Sequence, residues 1–280
     1  MDELAAKDLY PSAFSRVAAR YKHRLDQVMA RSESRGRVAV INWVDPTPGK
    51  RILDLACGPG TLSYRLARSV LPDGEVVGID LAPGMIELAR REAPPGLPLR
   101  FELMDMEELR FADGSFDAAA CGHGLSFVPD LTRALTEARR AIKPGGRMAA
   151  SVPVDPSQPS EAQAILERTV SSDLPPAPRA RDQFTTRQAV EDAAAFGSIA
   201  REAGFREATV ERFEETTTWS SPRHFVEMAA GWWSMAIRLD QVLPAERTAI
   251  LARAVRALES ELGPGPLQMA GATNVLLATV

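Results

Sequence analysis

Apolar positions along the chain change their period several times, and each change marks an element. From Tyr10 to Val28 they recur at three- and four-residue steps through Phe14, Val17, Ala18, Tyr21 and Leu25, the stripe of a helix with one buried face. A shorter helix is expected over Arg35 to Trp43, stopped by Pro46 and Pro48. At Arg51 the pattern becomes a short apolar run, Ile52 to Leu55, that ends in a turn holding Gly58 and Gly60; an amphipathic stretch, Thr61 to Val70, follows. Such a run reads as a buried strand feeding a helix. The unit repeats as a strand ending at Asp80, a helix opened by Pro83, and a strand from Leu99 to Met104. An alanine-rich strand, Asp117 to Cys121, and a helix, Leu131 to Ile142, come next, and Lys143 to Gly146 turns tightly into a strand from Arg147 to Val152. Strands alternating with helices predict a doubly wound, mainly parallel α/β sheet.

Beyond residue 152 prolines 153, 156, 159, 175, 176 and 178 punctuate the chain. Ser160 to Gln163 is a capping-box pattern opening a short helix, read as an inserted lid, because long proline-bearing insertions are commonly functional loops. Thr185 to Gln188 repeats the pattern and is expected to open one longer helix reaching Gly204. Ala208 to Trp219 reads as a sixth strand, Pro222 and Pro244 open further helices, and Asn274 to Val280 reads as a last strand. The expected organisation is N-terminal helices over 1–48, a core over 49–154, and lid, last strands and helical cap over 155–280, all completing one domain.

Composition narrows the setting. At 280 residues with 45% hydrophobic and 25% charged positions, the chain is ordinary for a globular enzyme-sized domain. A net charge of −4 speaks against a general nucleic-acid surface. Cys57 and Cys121 lie in core-like runs and make no disulfide framework, which suits the reducing cytoplasm. Asp2 and Glu3 do not open a signal peptide, and no run approaches the ~18 apolar residues of a membrane span. The sequence leaves a monomer and a homodimer both open.

The glycine turn carries the candidate chemistry. Gly58 and Gly60 let backbone lie against a ligand, and ligands of open α/β sheets sit beyond the carboxyl ends of the strands. Asp80 ends the second strand twenty residues past Gly60, placed to accept from ribose hydroxyls. A dinucleotide site prefers a third glycine where Ser63 stands, and Asp54 would repel a phosphate. A nucleoside without phosphates fits better. No clustered His, Asp or Glu set has metal-ligand spacing, so no metal is implied.

Five segments in order now resemble one family: Ile52 to Gly60, Val77 to Asp80 with Met85, Met104 to Leu109, Ser115 to Asp117, and Lys143 to Arg147. The resemblance is to class I S-adenosylmethionine-dependent methyltransferases, in the branch that includes the ubiquinone/menaquinone-biosynthesis C-methyltransferases. It covers about a third of the chain. It implies a Rossmann-like, seven-stranded sheet with a reversed last strand, N-terminal helices over the cleft and a cap between the last two strands. It implies S-adenosyl-L-methionine as methyl donor and S-adenosyl-L-homocysteine as product.

On that resemblance Asp80 and Leu81 border the ribose, Met85 packs on the base, Asp105 accepts from the adenine amino group, and the Met106 backbone faces the ring. The Ala56 carbonyl, Gly58 and Gly60 border the methionine part, with Asp54 behind them and Cys121 ending strand four below. Tyr21, with Tyr10 second, is the aromatic approaching the sulfonium, although both also suit plain packing. Phe127 and the Trp232, Trp233 pair are candidates to line an apolar acceptor pocket, the tryptophans being equally suited to the core of the cap.

His123 follows strand four in the segment aimed at the cleft. It is a candidate base for an oxygen, nitrogen or carbon acid, or simply a wall residue. The expected function is methyl transfer to a small, largely apolar acceptor. Two alternatives stay open: cyclisation or rearrangement on the same donor-binding scaffold without methyl transfer, and a noncatalytic ligand-binding relative.

Overall fold

The computed structural model describes residues 5–154, 159–178, 180–182 and 184–280. Seven strands form one sheet in the order β3-β2-β1-β4-β5-β7-β6. The strands are β1 (Arg51–Leu55), β2 (Glu75–Asp80), β3 (Leu99–Leu103), β4 (Phe116–Gly122), β5 (Ile142–Val154), β6 (Glu207–Trp219) and β7 (Leu267–Thr279). The first five pair in parallel, and β7 runs antiparallel between β5 and β6. Strand order reverses between β1 and β4, so a crevice opens at their carboxyl ends.

Helices cover both faces. α1 (Ala6–Ala30) and α2 (Arg35–Val44) precede the sheet, and α3 (Thr61–Ser69), α4 (Pro83–Glu92) and α5 (Leu131–Ala141) alternate with the first five strands. The alanine run of β4 is what lets both layers approach. Ala118 and Ala120 pack with Val40, Val44 and Leu66 on one face, while Ala119 packs with Leu135 and Ala138 on the other.

Four elements differ from the expectation. The Lys143 to Gly146 turn is absorbed into β5: Ile142 already pairs with Phe116, the register then shifts, and pairing resumes at Arg147 with Ala118. Gly145, at φ +77°, supplies the kink. The long helix expected from Thr185 is two, α7 (Phe184–Glu191) and α8 (Ala193–Glu202), because the Asp192 carboxylate accepts from the Ala194 and Ala195 amides and starts a new helix. β7 begins at Leu267 rather than Asn274, since the long β6 offers pairing as far as Trp219.

The segment read as a lid, α6 (Glu161–Val170), keeps its capping box but turns Ile165, Leu166 and Val170 into the apolar core of the cap. That core is completed by α9 (Pro222–Ala229), α10 (Trp233–Leu239) and α11 (Pro244–Leu262), all between β6 and β7. Pro156 of the punctuated stretch lies outside the described residues.

Candidate functional site

A cleft of about 780 Å³, its mouth included, opens at the carboxyl ends of β1, β2 and β4 and is roofed by α1. Its floor is built by the turn after β1. Ala56 (φ +50°) and Gly58 (φ +55°) both take left-handed backbone, and a Cβ at Gly58 would stand in van der Waals contact with the Tyr21 ring, at 4.0 Å. Gly60, at φ +82°, does something else: a Cβ there would meet the Tyr64 ring at 2.8 Å, so it seats helix α3 rather than facing the cleft.

The Asp80 carboxylate is held from two sides, by the Gly58 amide at 2.8 Å and the Ala82 amide at 2.8 Å. Burial pushes its pKa up while these amides oppose the shift. Each oxygen keeps a lone pair for the cleft. Leu81 and Met85 stand beside it on the wall. Asp105 caps the turn at Glu107 (2.9 Å), and Lys7 of α1 bridges Asp105 and Glu107 at 2.6 Å each, with Met106 between them also on the wall.

A narrower recess continues from Gly58 beneath Tyr21 and brings Asp54 and Arg37 to one space. Asp54 is fully buried; Ser63 donates to one of its oxygens at 2.5 Å and the other has no partner. Burial raises its pKa to about 7. Arg37 is buried as well, reaching Ser34 Oγ at 3.1 Å and the Tyr21 hydroxyl at 3.4 Å. An orphaned carboxylate oxygen facing a recess shared with a guanidinium matches a ligand bearing both an ammonium and a carboxylate.

The opposite wall is where β4 ends. His123 adopts φ +72°, a conformation few side chains accept, with its amide bonded to the Ser151 carbonyl at 2.9 Å. Its Nε2 is sealed without a partner, and burial together with Arg37 and Arg24 holds its pKa well below the usual value, so the ring is neutral. Gly124 follows because a Cβ there would lie 2.3 Å from that of Ala56. Cys121 is buried in the sheet with its thiol pushed up to about 12, behind the wall rather than on it.

Tyr10, Phe14 and Phe127 form the apolar end, with Phe127 at 4.9 Å from Tyr10 and 5.1 Å from Phe14 between ring centroids. Trp233 backs this layer, 5.3 Å from Tyr10, and Trp232 turns into the cap against Phe225 at 5.8 Å. Neither indole is on the described cleft wall. Reasoning from sequence passed over Lys7 and Arg37. Lys7 carries no local signal, but Arg37 stands at a helical step from Val40 and Val44, a charge on a buried face. That was legible.

Among the described residues no three His, Cys, Asp or Glu side chains converge as a metal site, and no helix is long and apolar enough to cross a membrane.

Comparison with known proteins agrees with this geometry. A family described as a methyltransferase domain matches residues 52–146. A 2-phytyl-1,4-naphtoquinone methyltransferase of Synechococcus elongatus is 33% identical over 147 residues, 51% of this chain and 63% of that protein. A demethylmenaquinone methyltransferase of Symbiobacterium thermophilum is 40% identical over 103 residues, 36% of this chain and 41% of that one. The chain thus spans less than two thirds of the length of these curated relatives. Among solved structures, a phosphoethanolamine N-methyltransferase of Haemonchus contortus, in complex with phosphomonomethylethanolamine and S-adenosylhomocysteine, superposes with TM-score 0.53 at 19% identity, over 88% of this chain and 52% of that one. The chain has the class I methyltransferase fold.

Proposed function

We propose that this chain, whose core is a methyltransferase domain, transfers a methyl group from S-adenosylmethionine to a small acceptor with an apolar body and releases S-adenosylhomocysteine. The observation that carries the reading is the recess joining the orphaned Asp54 oxygen and Arg37 to the Asp80 end of the cleft. That sequence of groups is complementary to an amino-acid zwitterion continued by a ribose. Bound there, the donor supplies a methyl carbon activated by its sulfonium, open to in-line attack.

The chain's own residues then bind and orient. Asp80 accepts from the ribose hydroxyls, Leu81 and Met85 pack on the nucleoside, and Asp105 with Met106 receives the base. Asp54 takes the ammonium and Arg37 the carboxylate, an assignment that pairs both buried charges. Tyr21 stands over Gly58 and closes the space above the methyl. Methyl transfer of this kind is accelerated chiefly by alignment and dryness, which the Tyr10, Phe14 and Phe127 rings provide.

Neutral His123 offers hydrogen bonding to the acceptor; its depressed basicity suits orienting the nucleophile more than storing its proton. The quinone methyltransferases it resembles support a ring-bearing acceptor. The cytoplasm is the compartment we propose, supported by two buried, unpaired thiols.

Titration calorimetry with S-adenosylmethionine and S-adenosylhomocysteine tests the reading, with micromolar binding of both expected. Labelled methyl transfer to a panel of hydroxylated and quinol acceptors follows. Absence of binding by either nucleoside ends the proposal.

A further inference from the structure

Glu107 stands on the cleft wall between the base side and the apolar end. Its side chain is only 4% exposed, and both carboxylate oxygens are engaged. Oε1 accepts from the Asp130 amide at 3.1 Å, and Oε2 meets the Lys7 ammonium at 2.6 Å. The Glu107 amide in turn donates to Asp105 Oδ1 at 2.9 Å, while Lys7 reaches Asp105 Oδ2 at 2.6 Å. Asp105, Lys7 and Glu107 close a ring of contacts, and Asp130 is fastened to it.

What is fastened there is the apolar wall. Phe127, Val128 and Pro129 line the cleft immediately before Asp130, and residues 128–130 belong to neither strand nor helix. Backbone without a ladder is held by whatever side chains bond to it. From α7, Thr186 Oγ1 donates to the Pro129 carbonyl at 3.2 Å; from the base side, Glu107 takes the Asp130 amide. Arg133 Nε also donates to the Glu107 carbonyl at 2.8 Å, a main-chain tie that substitution of the Glu107 side chain leaves in place.

We propose that Glu107 is a positioning residue for methyl transfer, tying the wall of Phe127 to Pro129, against which the acceptor's apolar body lies, to the loop that takes the donor's base. This rests on the methyl-transfer reading of the same cleft. In-line displacement needs both reactants in fixed register, and about 1 Å of misplacement costs on the order of 10²-fold in rate. Asp80 and Asp105 fix the donor and Phe127 fixes the acceptor; Glu107 sets one wall relative to the other. A base that donates to Asp105 steadies that carboxylate, and with it Lys7 and the turn carrying Glu107. The Asp130 amide then has a fixed acceptor, so the wall stiffens as the donor site fills.

Amide hydrogen exchange over residues 124–131 reads this in the full chain, with and without saturating S-adenosylhomocysteine. In the wild type the nucleoside is expected to slow exchange there about tenfold, the scale of one hydrogen bond to a charged group. Glu107→Gln keeps an oxygen for the Asp130 amide but cannot form the ion pair with Lys7. It is expected to exchange like the wild type when unliganded and to show a ligand effect of about threefold or less. Glu107→Ala is expected to exchange faster and to lose the ligand effect. Both variants are expected to bind S-adenosylhomocysteine within about fivefold of the wild type, since Asp80 and Asp105 remain.

A support role alone would change the unliganded rate and leave the ligand effect intact, so an undiminished effect in either variant overturns the proposal. A wild type whose exchange over 124–131 ignores the ligand overturns it as well. Loss of donor affinity beyond about tenfold in Glu107→Ala would place Glu107 in the donor site itself, with the same consequence. Should Glu107→Ala not fold, the wild type and Glu107→Gln decide. If the wild type binds no S-adenosylhomocysteine, the methyl-transfer reading fails by itself, and the unliganded rates test the tie alone: equal exchange in the wild type and Glu107→Ala overturns it.

Discussion

The two sides of the cleft are built from opposite charges. Along the ends of β1, β2 and β3 stand Asp54, Asp80 and Asp105; across from them, Arg37 and neutral His123 stand at the end of β4. The acidic side is held by its own backbone, with amides of Gly58, Ala82 and Glu107 fixing Asp80 and Asp105. The cationic side is held by contacts between distant segments, and several of its polar atoms have no partner. A pre-satisfied side can bind the same ligand part in many relatives, while an unsatisfied one waits for a particular molecule. The difference separates carboxylates the fold already satisfies, Asp80 and Asp105, from groups it leaves for a ligand, the second oxygen of Asp54 and the Nε2 of His123.

The largest test of that contrast is titration. Asp54 is raised to about 7 by burial, so between pH 4 and 7 the unfolded chain gives up a proton that the folded protein keeps, and stability falls as pH rises. The whole loss is on the order of 4 kcal/mol, complete above pH 7. Asp54→Asn is expected to lack this loss, so its stability relative to the wild type rises between pH 5 and pH 8 in urea unfolding. His123 has the opposite sign: with its folded pKa depressed, its contribution is full above about 6.5 and is lost as pH falls. His123→Asn, which tolerates the left-handed backbone, is expected to gain stability relative to the wild type as pH falls below about 6.5. Because the two contributions oppose each other where their windows overlap, each is checked against its own variant: an Asp54→Asn or His123→Asn profile parallel to the wild type would contradict that residue's assignment.

Asp80→Ala is the next largest. It removes the acceptor for the ribose and frees the Gly58 and Ala82 amides, so S-adenosylhomocysteine affinity is expected to drop by roughly 1.5–3 kcal/mol per charge-assisted bond. Calorimetry showing unchanged affinity removes Asp80 from the donor site. Gly124→Ala acts where the two sides touch: the new methyl would lie 2.3 Å from Ala56 Cβ and 3.0 Å from Cys121 Sγ. Overpacking there is expected to cost about 1–3 kcal/mol of stability and to weaken donor binding through the displaced Ala56 turn. Undiminished stability in thermal unfolding would mean the turn yields freely.

The acidic side was legible in the sequence because it is local. Gly58, Asp80 and Asp105 each end or follow a strand inside one run of about fifty residues, and strand ends meet once the sheet is parallel. The cationic side was only partly so: His123 directly follows β4 and Arg37 sits on the buried stripe of α2, but that they meet depends on packing between segments far apart in the chain. Its signals were charges placed where the helical stripe called for apolar residues. The adjacent tryptophans misled for a related reason: neighbours in sequence point apart where α10 begins, so one backs the cleft and the other enters the cap. Among secondary elements, what the pattern could not show was which polar side chain would end a helix, as Asp192 does.

The smallest expected effect concerns a cation on the acidic side. Lys7 spans Asp105 and Glu107 at 2.6 Å each from the first turns of α1, and is itself 40% exposed. Burial works against its charge, but the bonds to both carboxylates outweigh that and raise its pKa. An exposed bridge of this kind adds little to stability, within about 1 kcal/mol. On the proposed donor site, it would keep Asp105 aimed at the base and α1 down over it. Lys7→Met is therefore expected to leave unfolding nearly unchanged and to weaken S-adenosylhomocysteine binding about two- to fivefold at low salt, a difference that shrinks as screening rises toward about 0.5 M. Tighter binding in Lys7→Met would show instead that the lysine competes with the base for Asp105, and the acidic side would then be less complete than its hydrogen bonds suggest.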